Sequence, residues 1–300
     1  MAPFPKDDAT LSPVIERQTH ECRPTAARRD LVPEDSYGRR KRLVFVLDAI
    51  AETRARRILD VGCGTGVALT RPVAEAFPTI DVTGADTDPA SIEWATSQRE
   101  LPNLAFTHPD SLPENVVFDV VILSEVLEHV DEPLDFLRWV RRRVTGDGIV
   151  VLTVPNGLGP FELMMFVAAS LHGRAIKRRL SRFRRRGADA ADHGTQTLAV
   201  SPHVNFFRRS DLASLFAAAG FEVEGFQPTT FLCGPGLDGA VRALDAAEWN
   251  ARIVDRLPAW CASDWMFALR PVRQDDKRRW RRGAIAQFRR RMNLKRWGVK

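Results

Sequence analysis

The sequence predicts an α/β protein in which helices cover both faces of a mostly parallel β-sheet. Between residues 36 and 155, short apolar segments alternate with helical segments, which is the order typical of a parallel sheet. One apolar segment runs directly into a glycine-rich turn, a frequent signature of a ligand site at the end of a strand. The 300 residues, 44% hydrophobic and 27% charged, suffice for one large domain.

The elements are predicted in the following order. Apolar residues at helical spacing indicate a first helix within residues 36 to 54. Strands are expected at 57 to 61, 80 to 85, 103 to 107, 117 to 123 and 148 to 154, and helices at 66 to 77, 88 to 99 and 132 to 143. After an interruption, the pattern resumes with a helix at 209 to 219 ended by Gly220, a strand at 221 to 226, a helix at 238 to 252 and a strand at 265 to 269.

Composition divides the chain into a central domain and two appendages. Residues 1 to 35 are polar and contain several prolines, so we expect a mobile N-terminal arm. Residues 36 to 271 form the predicted domain, in which residues 157 to 200 are an insertion that could act as a lid over the carboxyl edge of the sheet. Residues 272 to 300 form a basic tail. The four cysteines form no CxxC pair, which argues against a zinc cluster or a disulfide framework and favours a cytoplasmic protein.

The basic charge is concentrated in two segments. Residues 174 to 186 contain eight Lys or Arg and no acid, and residues 271 to 300 contain twelve against two aspartates, although the whole chain has a net charge of only +6. Such segments attract phosphate in nucleic acids or on anionic membranes, or they form a solvated face.

Apolar residues accompany both basic segments, which favours the membrane over nucleic acid. An apolar run from Leu158 to Leu171 precedes the first segment and is too short to span a bilayer. In the tail, apolar side chains recur every four residues at Trp280, Ala284, Phe288 and Met292. We therefore expect peripheral contact with an anionic membrane through residues 158 to 186 and 277 to 300. A lid over a pocket at the carboxyl edge of the sheet remains a second interpretation of the apolar run.

The residues expected to bind a nucleoside lie at the ends of three predicted strands. The segment ILDVGCGTG, residues 58 to 66, carries Asp60 and three glycines that let the backbone approach a ligand closely. Asp86 ends the second strand, where an acid can accept the hydroxyls of a ribose, and Asp110 follows the third, where it can meet an adenine amino group. Because Asp60 would repel a pyrophosphate, these acids favour a positively charged nucleoside over a dinucleotide.

Five motifs in this order resemble those of class I S-adenosylmethionine-dependent methyltransferases: ILDVGCGTG, GADTDP, HPDSLP, FDVVILSEVLEHV and LTVPN. The resemblance implies a Rossmann-like, seven-stranded, mostly parallel sheet with helices on both faces and an antiparallel last strand. It also implies that S-adenosylmethionine is the cofactor. By position, the resemblance assigns the cofactor site to Asp60, Gly62, Cys63, Gly64, Gly66, Asp86, Thr87, Asp110, Ser111 and Ser124.

The acceptor side is expected at the end of the fourth strand. If the chain turns helical there, Glu125, Glu128 and His129 share one face, and His203 could approach from the exit of the insertion. These four residues could bind a divalent cation such as Mg²⁺. Alternatively, His129, or His203 as a second candidate, acts as a general base, or the glutamates are only structural partners.

The ExxEH motif resembles two subgroups of the family, and this leaves three functions open. Ubiquinone-type O-methyltransferases imply transfer to a small, hydroxyl-bearing acceptor, with a lipophilic molecule as one candidate. Small-RNA methyltransferases imply transfer to the 2′-hydroxyl of an RNA 3′ terminus, with a metal at the four residues named above. A third hypothesis is a cofactor-binding partner protein without turnover. We favour the first.

Overall fold

The computed structural model describes residues 31–159, 162, 203–234, 237–272 and 279–297. Its centre is one seven-stranded sheet with the strand order β3-β2-β1-β4-β5-β7-β6. The strands are β1 (Arg57–Val61), β2 (Asp81–Ala85), β3 (Leu104–Thr107), β4 (Phe118–Ser124), β5 (Val144–Pro155), β6 (Phe221–Pro228) and β7 (Asp264–Pro271). Neighbours among β1 to β5 pair in parallel, whereas β7 is antiparallel to both β5 and β6. The predicted fold class is confirmed.

The strand order reverses direction between β1 and β4. The chain proceeds outward from β1 through β2 to β3, returns to β4 beside β1, and continues outward on the other side. The connections that leave β1 and β4 therefore depart to opposite sides and open a crevice at the carboxyl edge of the sheet. The glycine-rich turn and the ExxEH motif of residues 125 to 129, called the acceptor motif below, both begin at this crevice.

Helices cover both faces of the sheet. The described α-helices are α1 (Arg39–Ala51), α2 (Thr70–Ala76), α3 (Pro89–Ser97), α4 (Pro133–Arg143), α5 (Arg209–Ala219), α6 (Leu237–Ala243), α7 (Ala247–Ile253) and α8 (Ala284–Trp297). Alternate residues of β4 contribute to two separate apolar clusters, because successive side chains of a strand point to opposite faces. Helices α4 and α5 pack in one cluster, and α1 and α2 pack in the other.

Most predicted elements are found within a few residues of their expected bounds, with two differences. Helix α2 begins at Thr70 rather than at residue 66, since the glycines of the preceding turn have positive φ angles that a right-handed helix excludes. The helix expected at 238 to 252 is two helices, because Asp245 has a φ of 48° and breaks the helical path between α6 and α7. Helix α5 ends at Gly220, whose φ of 84° agrees with the predicted cap.

The C-terminal helix α8 differs from the predicted amphipathic segment at one position. Trp280 precedes the helix, and its indole Nε1 donates to the Asp211 carbonyl at 3.1 Å while its ring packs 6.3 Å from that of Phe207. Trp280 therefore packs against the protein body before the helix begins, and its inclusion in one helical repeat with Ala284, Phe288 and Met292 was wrong. Phe288 and Met292 are exposed, at 59% and 49%.

Other expectations lie outside the described residues. These include the arm over residues 1 to 30 and, apart from 157–159 and Glu162, the insertion with its basic segment. Among the helices of the described part of the chain, none has the length and apolar character needed to cross a membrane.

Candidate active site

The glycine-rich turn after β1 has a backbone that only glycine adopts easily. Gly62, Gly64 and Gly66 have φ angles of 76°, 55° and 72°. A Cβ on Gly62 would collide with Cγ2 of Val126, and one on Gly66 would lie 2.6 Å from the ring of Phe106. The turn is therefore packed directly against the loop after β4, which carries the acceptor motif.

Asp86 holds this turn in place. Its Oδ2 accepts the Gly64 amide at 2.7 Å, and its Oδ1 accepts the Asp88 amide at 2.8 Å. Asp86 is 9% exposed, and the chain continues from it through Thr87 into α3. The residue expected to bind the ribose is therefore already part of the loop that would surround it.

Asp60 and Asp110 lie in opposite environments. Asp60 is 2% exposed, and its Oδ2 accepts the Thr70 hydroxyl at 2.7 Å. Burial raises the pKa of Asp60 to about 7, although the bond from Thr70 opposes the shift. Asp110 lies in the short turn after β3, and its side chain is 92% exposed. The predicted contacts of these residues and of the exposed Ser111 with a cofactor remain predictions.

The two other residues of the predicted cofactor set are buried. Cys63 lies in the turn itself, its thiol donates to the Gly64 carbonyl at 3.5 Å, and burial raises its pKa. Ser124, the last residue of β4, shares a hydrogen bond of 3.2 Å with the Thr153 hydroxyl. In the described structure, both side chains therefore stabilise the carboxyl edge of the sheet.

The acceptor motif does not form the helical face that the sequence predicts. Glu125 has a φ of 57°, and only Leu127–His129 form a turn, of the 3₁₀ type. This left-handed backbone directs the Glu125 side chain elsewhere. Its Oε1 accepts the Thr153 hydroxyl at 2.7 Å and lies 3.4 Å from Nη2 of Arg42. The prediction that Glu125, Glu128 and His129 share one helical face was therefore wrong.

The structure brings Glu128, His129 and His203 together. Ligand atoms of these three residues lie within 4.8 Å of one another, and Glu125 is not part of this group among the described residues. The two imidazole rings meet edge to face, with their centroids 4.9 Å apart. The backbone fixes this arrangement, since the amides of Val204 and Asn205 both donate to the Glu128 carbonyl, at 2.7 and 2.9 Å.

Glu128 is the least satisfied side chain of the site. It is 1% exposed, and neither carboxylate oxygen has a hydrogen-bond partner among the described residues. Nε2 of His129 lies 3.8 Å from its Oε1. Burial, and then the charge of Glu125, raise the pKa of Glu128 well above its usual range. A buried carboxyl of this kind either carries a proton or requires a cation.

His203 is held by a residue that the motif analysis did not assign to the site. Its Nδ1 lies 2.9 Å from Oε1 of Glu162, a buried carboxylate of the insertion. Burial alone would lower the pKa of His203, but the bond to Glu162 and the charge of Glu128 outweigh it and raise the pKa to about 9. The only sequence signal for Glu162 is an acid inside an otherwise apolar run.

The fold and the site define a class of protein: a doubly wound α/β protein with a glycine-rich turn at the carboxyl edge of its sheet and a group of one carboxyl and two imidazoles after the fourth strand. Residues 29–225, about two-thirds of the chain, match a family model described as a methyltransferase domain. The chain belongs to this methyltransferase family, which confirms the resemblance inferred from the five motifs.

The chain is also similar to curated O-methyltransferases of known name. It is 35% identical over 105 residues to a ubiquinone biosynthesis O-methyltransferase of Cereibacter sphaeroides, covering 33% of this chain and 41% of that protein. It is 35% identical over 124 residues to the mitochondrial enzyme of the same name from Schizosaccharomyces pombe, covering 37% and 43%. These alignments span about four-tenths of each relative's length. Among solved structures, the YcgJ protein of Bacillus subtilis matches with 18% identity, coverage of 78% and 99%, and a TM-score of 0.47.

Replacing Gly62 tests the glycine-rich turn as the cofactor site. In Gly62→Ala, the new Cβ collides with Val126 at a positive φ, so the turn must shift. We expect the affinity for S-adenosylhomocysteine, measured by calorimetry, to fall by about tenfold or more, an energy of about 1.4 kcal/mol. Gly146→Ala, where nothing lies within 4 Å of the added Cβ, is the matched control and should bind like the wild type. Equal affinities in both variants would contradict the assignment.

Replacing Asp60 tests its buried, protonated state. The folded pKa of about 7 exceeds the value of about 4 in an unfolded chain. The stability contributed by Asp60 is therefore complete below about pH 4 and is lost as the pH rises to about 7. The amide of Asp60→Asn mimics the neutral carboxyl, so the gain in free energy of unfolding over the wild type should grow between about pH 4 and pH 7 and then level off. Urea unfolding of the cofactor-free protein measures this gain, and a gain independent of pH would refute the assignment.

Proposed function

We propose that this protein transfers the methyl group of S-adenosylmethionine to a hydroxyl group of a small acceptor, with a lipophilic phenol or catechol as the favoured class. The observation that carries the proposal is the group formed by Glu128, His129 and His203. Two of its members, Glu128 and His129, lie in the loop whose Val126 packs against the glycine-rich turn, so an acceptor beside the imidazoles is also beside the cofactor. The O-methyltransferase relatives support the same chemistry.

The glycine-rich turn and the strand-end acids fit S-adenosylmethionine. The turn offers a close backbone approach at Gly62, Gly64 and Gly66, and Asp86 and Asp110 offer acceptors for hydroxyl and amino groups. When bound, the cofactor supplies a methyl group that is already activated by the positive sulfur. The protein must chiefly align the acceptor oxygen with that methyl and exclude water.

An oxygen acceptor must also lose a proton, and His129 is the favoured base. The pKa of His203 near 9 keeps that ring protonated at neutral pH, so it is a poor base and a good hydrogen-bond donor. The His129 side chain is 28% exposed, so its ring is accessible from solvent. We therefore assign proton removal to His129 and orientation of the acceptor oxygen to His203.

The same group fits a divalent cation. Glu128 presents two buried oxygens without hydrogen-bond partners in the described residues, and two imidazoles lie beside them. Mg²⁺ prefers oxygen ligands and keeps several waters, so Glu128 would be its main protein ligand, with His129 beside it. His203 would join the ligands only with loss of the ring proton that its raised pKa otherwise retains. A bound cation would lower the pKa of the acceptor hydroxyl. Glu125, engaged by Arg42 and Thr153, is not proposed as a ligand.

Transfer of a labelled methyl group to a 4-alkylcatechol tests the proposal. Wild-type protein should label the catechol, and His129→Ala should reduce turnover by about 10²-fold while leaving the affinity for S-adenosylhomocysteine unchanged. Asp135→Ala, which alters an exposed acid six residues along the chain, is the control and should retain full turnover. A parallel reaction with EDTA, then restored with Mg²⁺, shows whether the cation is needed.

The possible results separate the hypotheses. Full turnover in His129→Ala refutes this residue as the base. Labelling of RNA ends instead of catechol, in the same assay with total RNA as acceptor, refutes the acceptor class. Binding of S-adenosylhomocysteine without transfer to lipid, RNA or metabolite fractions favours a partner protein without turnover.

We also propose that α8 contacts an anionic membrane surface. Phe288 and Met292 are exposed on this helix, and the exposed Arg291 lies between them in the sequence. An apolar side chain flanked by arginines favours an interface that is both apolar and negatively charged. This location would bring the protein close to lipophilic acceptors.

Flotation with vesicles that contain phosphatidylserine checks the membrane contact. The wild type should float at low salt, and the double variant Phe288→Ala/Met292→Ala should remain in the lower fractions because it loses the apolar anchor. Leu244→Ala removes a similar side chain, 77% exposed, from the turn directly after α6 and should float like the wild type. If the wild type does not float, or if the double variant floats equally well, the membrane contact through α8 is wrong.

A further inference from the structure

A chain of polar contacts connects His203 with the C-terminal helix. The Nδ1 of His203 donates to Oε1 of Glu162 at 2.9 Å, and the other oxygen of Glu162 accepts from Nη2 of Arg289 at 3.2 Å. The Glu162 and Arg289 side chains are 7% and 12% exposed. A carboxylate buried to this extent needs both partners, since losing either one leaves an under-compensated charge.

Arg289 is itself held on several sides. It donates to the Gly157 carbonyl, at the start of the insertion, and its guanidinium lies 4.0 Å from the ring centroid of Phe206. One turn farther along α8, Asn293 donates to the carbonyl of His203 at 2.5 Å. Helix α8 is thus connected to His203 in two ways. Asn293 donates to the backbone carbonyl of His203, and Arg289 is linked to the His203 ring through Glu162.

Fixing one imidazole nitrogen determines what the other can do. With Nδ1 engaged by a carboxylate, the ring cannot flip without losing a partly buried charge-assisted bond, and Nε2 is left for the acceptor. His203 lies on a stretch of chain without helix or strand, so its ring has no regular element to orient it.

We propose that Glu162 and Arg289 are positioning residues: Arg289 holds the Glu162 carboxylate, and Glu162 fixes the ring of His203. The acceptor site is therefore complete only when the basic C-terminal helix is docked. This inference rests on the proposed function, because it takes His203 to be part of the acceptor site. It assigns part of the basic tail to the chemistry rather than to location alone.

The ring proton of His203 provides a test that needs no acceptor. In protein labelled with ¹⁵N-histidine, a hydrogen-bonded ring N–H should be visible by NMR and be absent in His203→Gln, which assigns it. It should disappear in Glu162→Ala and broaden or shift in Arg289→Ala. Arg289→Lys should restore it in part, and Arg291→Ala, which alters an exposed arginine on the same helix, should leave it unchanged.

Turnover of the 4-alkylcatechol shows whether the contacts act in series. Glu162→Ala and Arg289→Ala should each lower kcat about tenfold and leave the KM for S-adenosylmethionine unchanged. If Arg289 acts through Glu162, the kcat of the double variant Glu162→Ala/Arg289→Ala should be no lower than that of Glu162→Ala. In a His203→Ala background, neither change should lower kcat further. Equal melting temperatures and equal S-adenosylhomocysteine affinities ensure that folded proteins are compared.

The outcomes that overturn the proposal are distinct from failure of the proposed function. A persistent His203 ring proton in Glu162→Ala, or an undiminished effect of Arg289→Ala in the Glu162→Ala background, refutes the positioning role. If Glu162→Ala does not fold, Glu162→Gln takes its place: it keeps the side-chain volume but accepts only a neutral bond, so the ring proton should shift upfield. If wild-type protein methylates no catechol, the proposed function fails, and the NMR result alone decides the positioning role.

Discussion

The arrangement of Glu128, His129 and His203 depends on the hydrogen bonds of one buried amide, Asn205. Its Nδ2 donates to the carbonyls of Leu127 and Val130, at 3.0 and 2.5 Å, and its Oδ1 accepts from Nε of Arg282 at 2.8 Å. Within the 3₁₀ turn, the Leu127 carbonyl accepts a long bond of 3.4 Å from the Val130 amide, and a poorly satisfied buried carbonyl is unfavourable. By donating to these carbonyls and accepting from Arg282, Asn205 joins the loop after β4, the irregular segment that carries His203 and the chain entering α8. These parts of the sequence are otherwise about 75 residues apart.

The carboxyl edge of the sheet concentrates acids that cannot all be ionised together. Burial raises the pKa of Asp60 to about 7, and burial with the nearby charge of Glu125 also raises that of Asp264 to about 7 and that of Glu128 well above its usual range. Arg42, from α1, lies among these acids and compensates only part of their charge. Perturbed carboxyl groups of this kind are more frequent at functional sites than in structural cores. A positively charged nucleoside, a cation or a proton each relieves the same excess.

The strands and most helices could be predicted because they depend on local periodicity and on glycine positions. The same holds for the glycine-rich turn and for Asp86, which lie directly after strands. Glu125 could not be placed, because its left-handed backbone is stabilised by Thr153 and Arg42, residues distant in the sequence. The roles inferred for Glu162 and Arg289 depend on contacts between the insertion and the tail, 127 residues apart, which no periodic pattern encodes. Trp280 followed the apolar spacing of α8 but lies before the helix begins.

The position of β7 also determines when the sheet can be completed during synthesis. Strand β7 is inserted between β5 and β6, and within the described sheet β6 pairs with no other strand. The ribosome therefore releases β6 and α5 before the strand that binds β6 to the sheet exists. Strand β6 therefore remains unpaired until residues 264 to 271 have been synthesised. Pairing of strands that are distant in the sequence slows folding. During that interval, the nascent chain exposes an unpaired sheet edge, which promotes aggregation. A chaperone that covers this edge would protect the chain most at this stage.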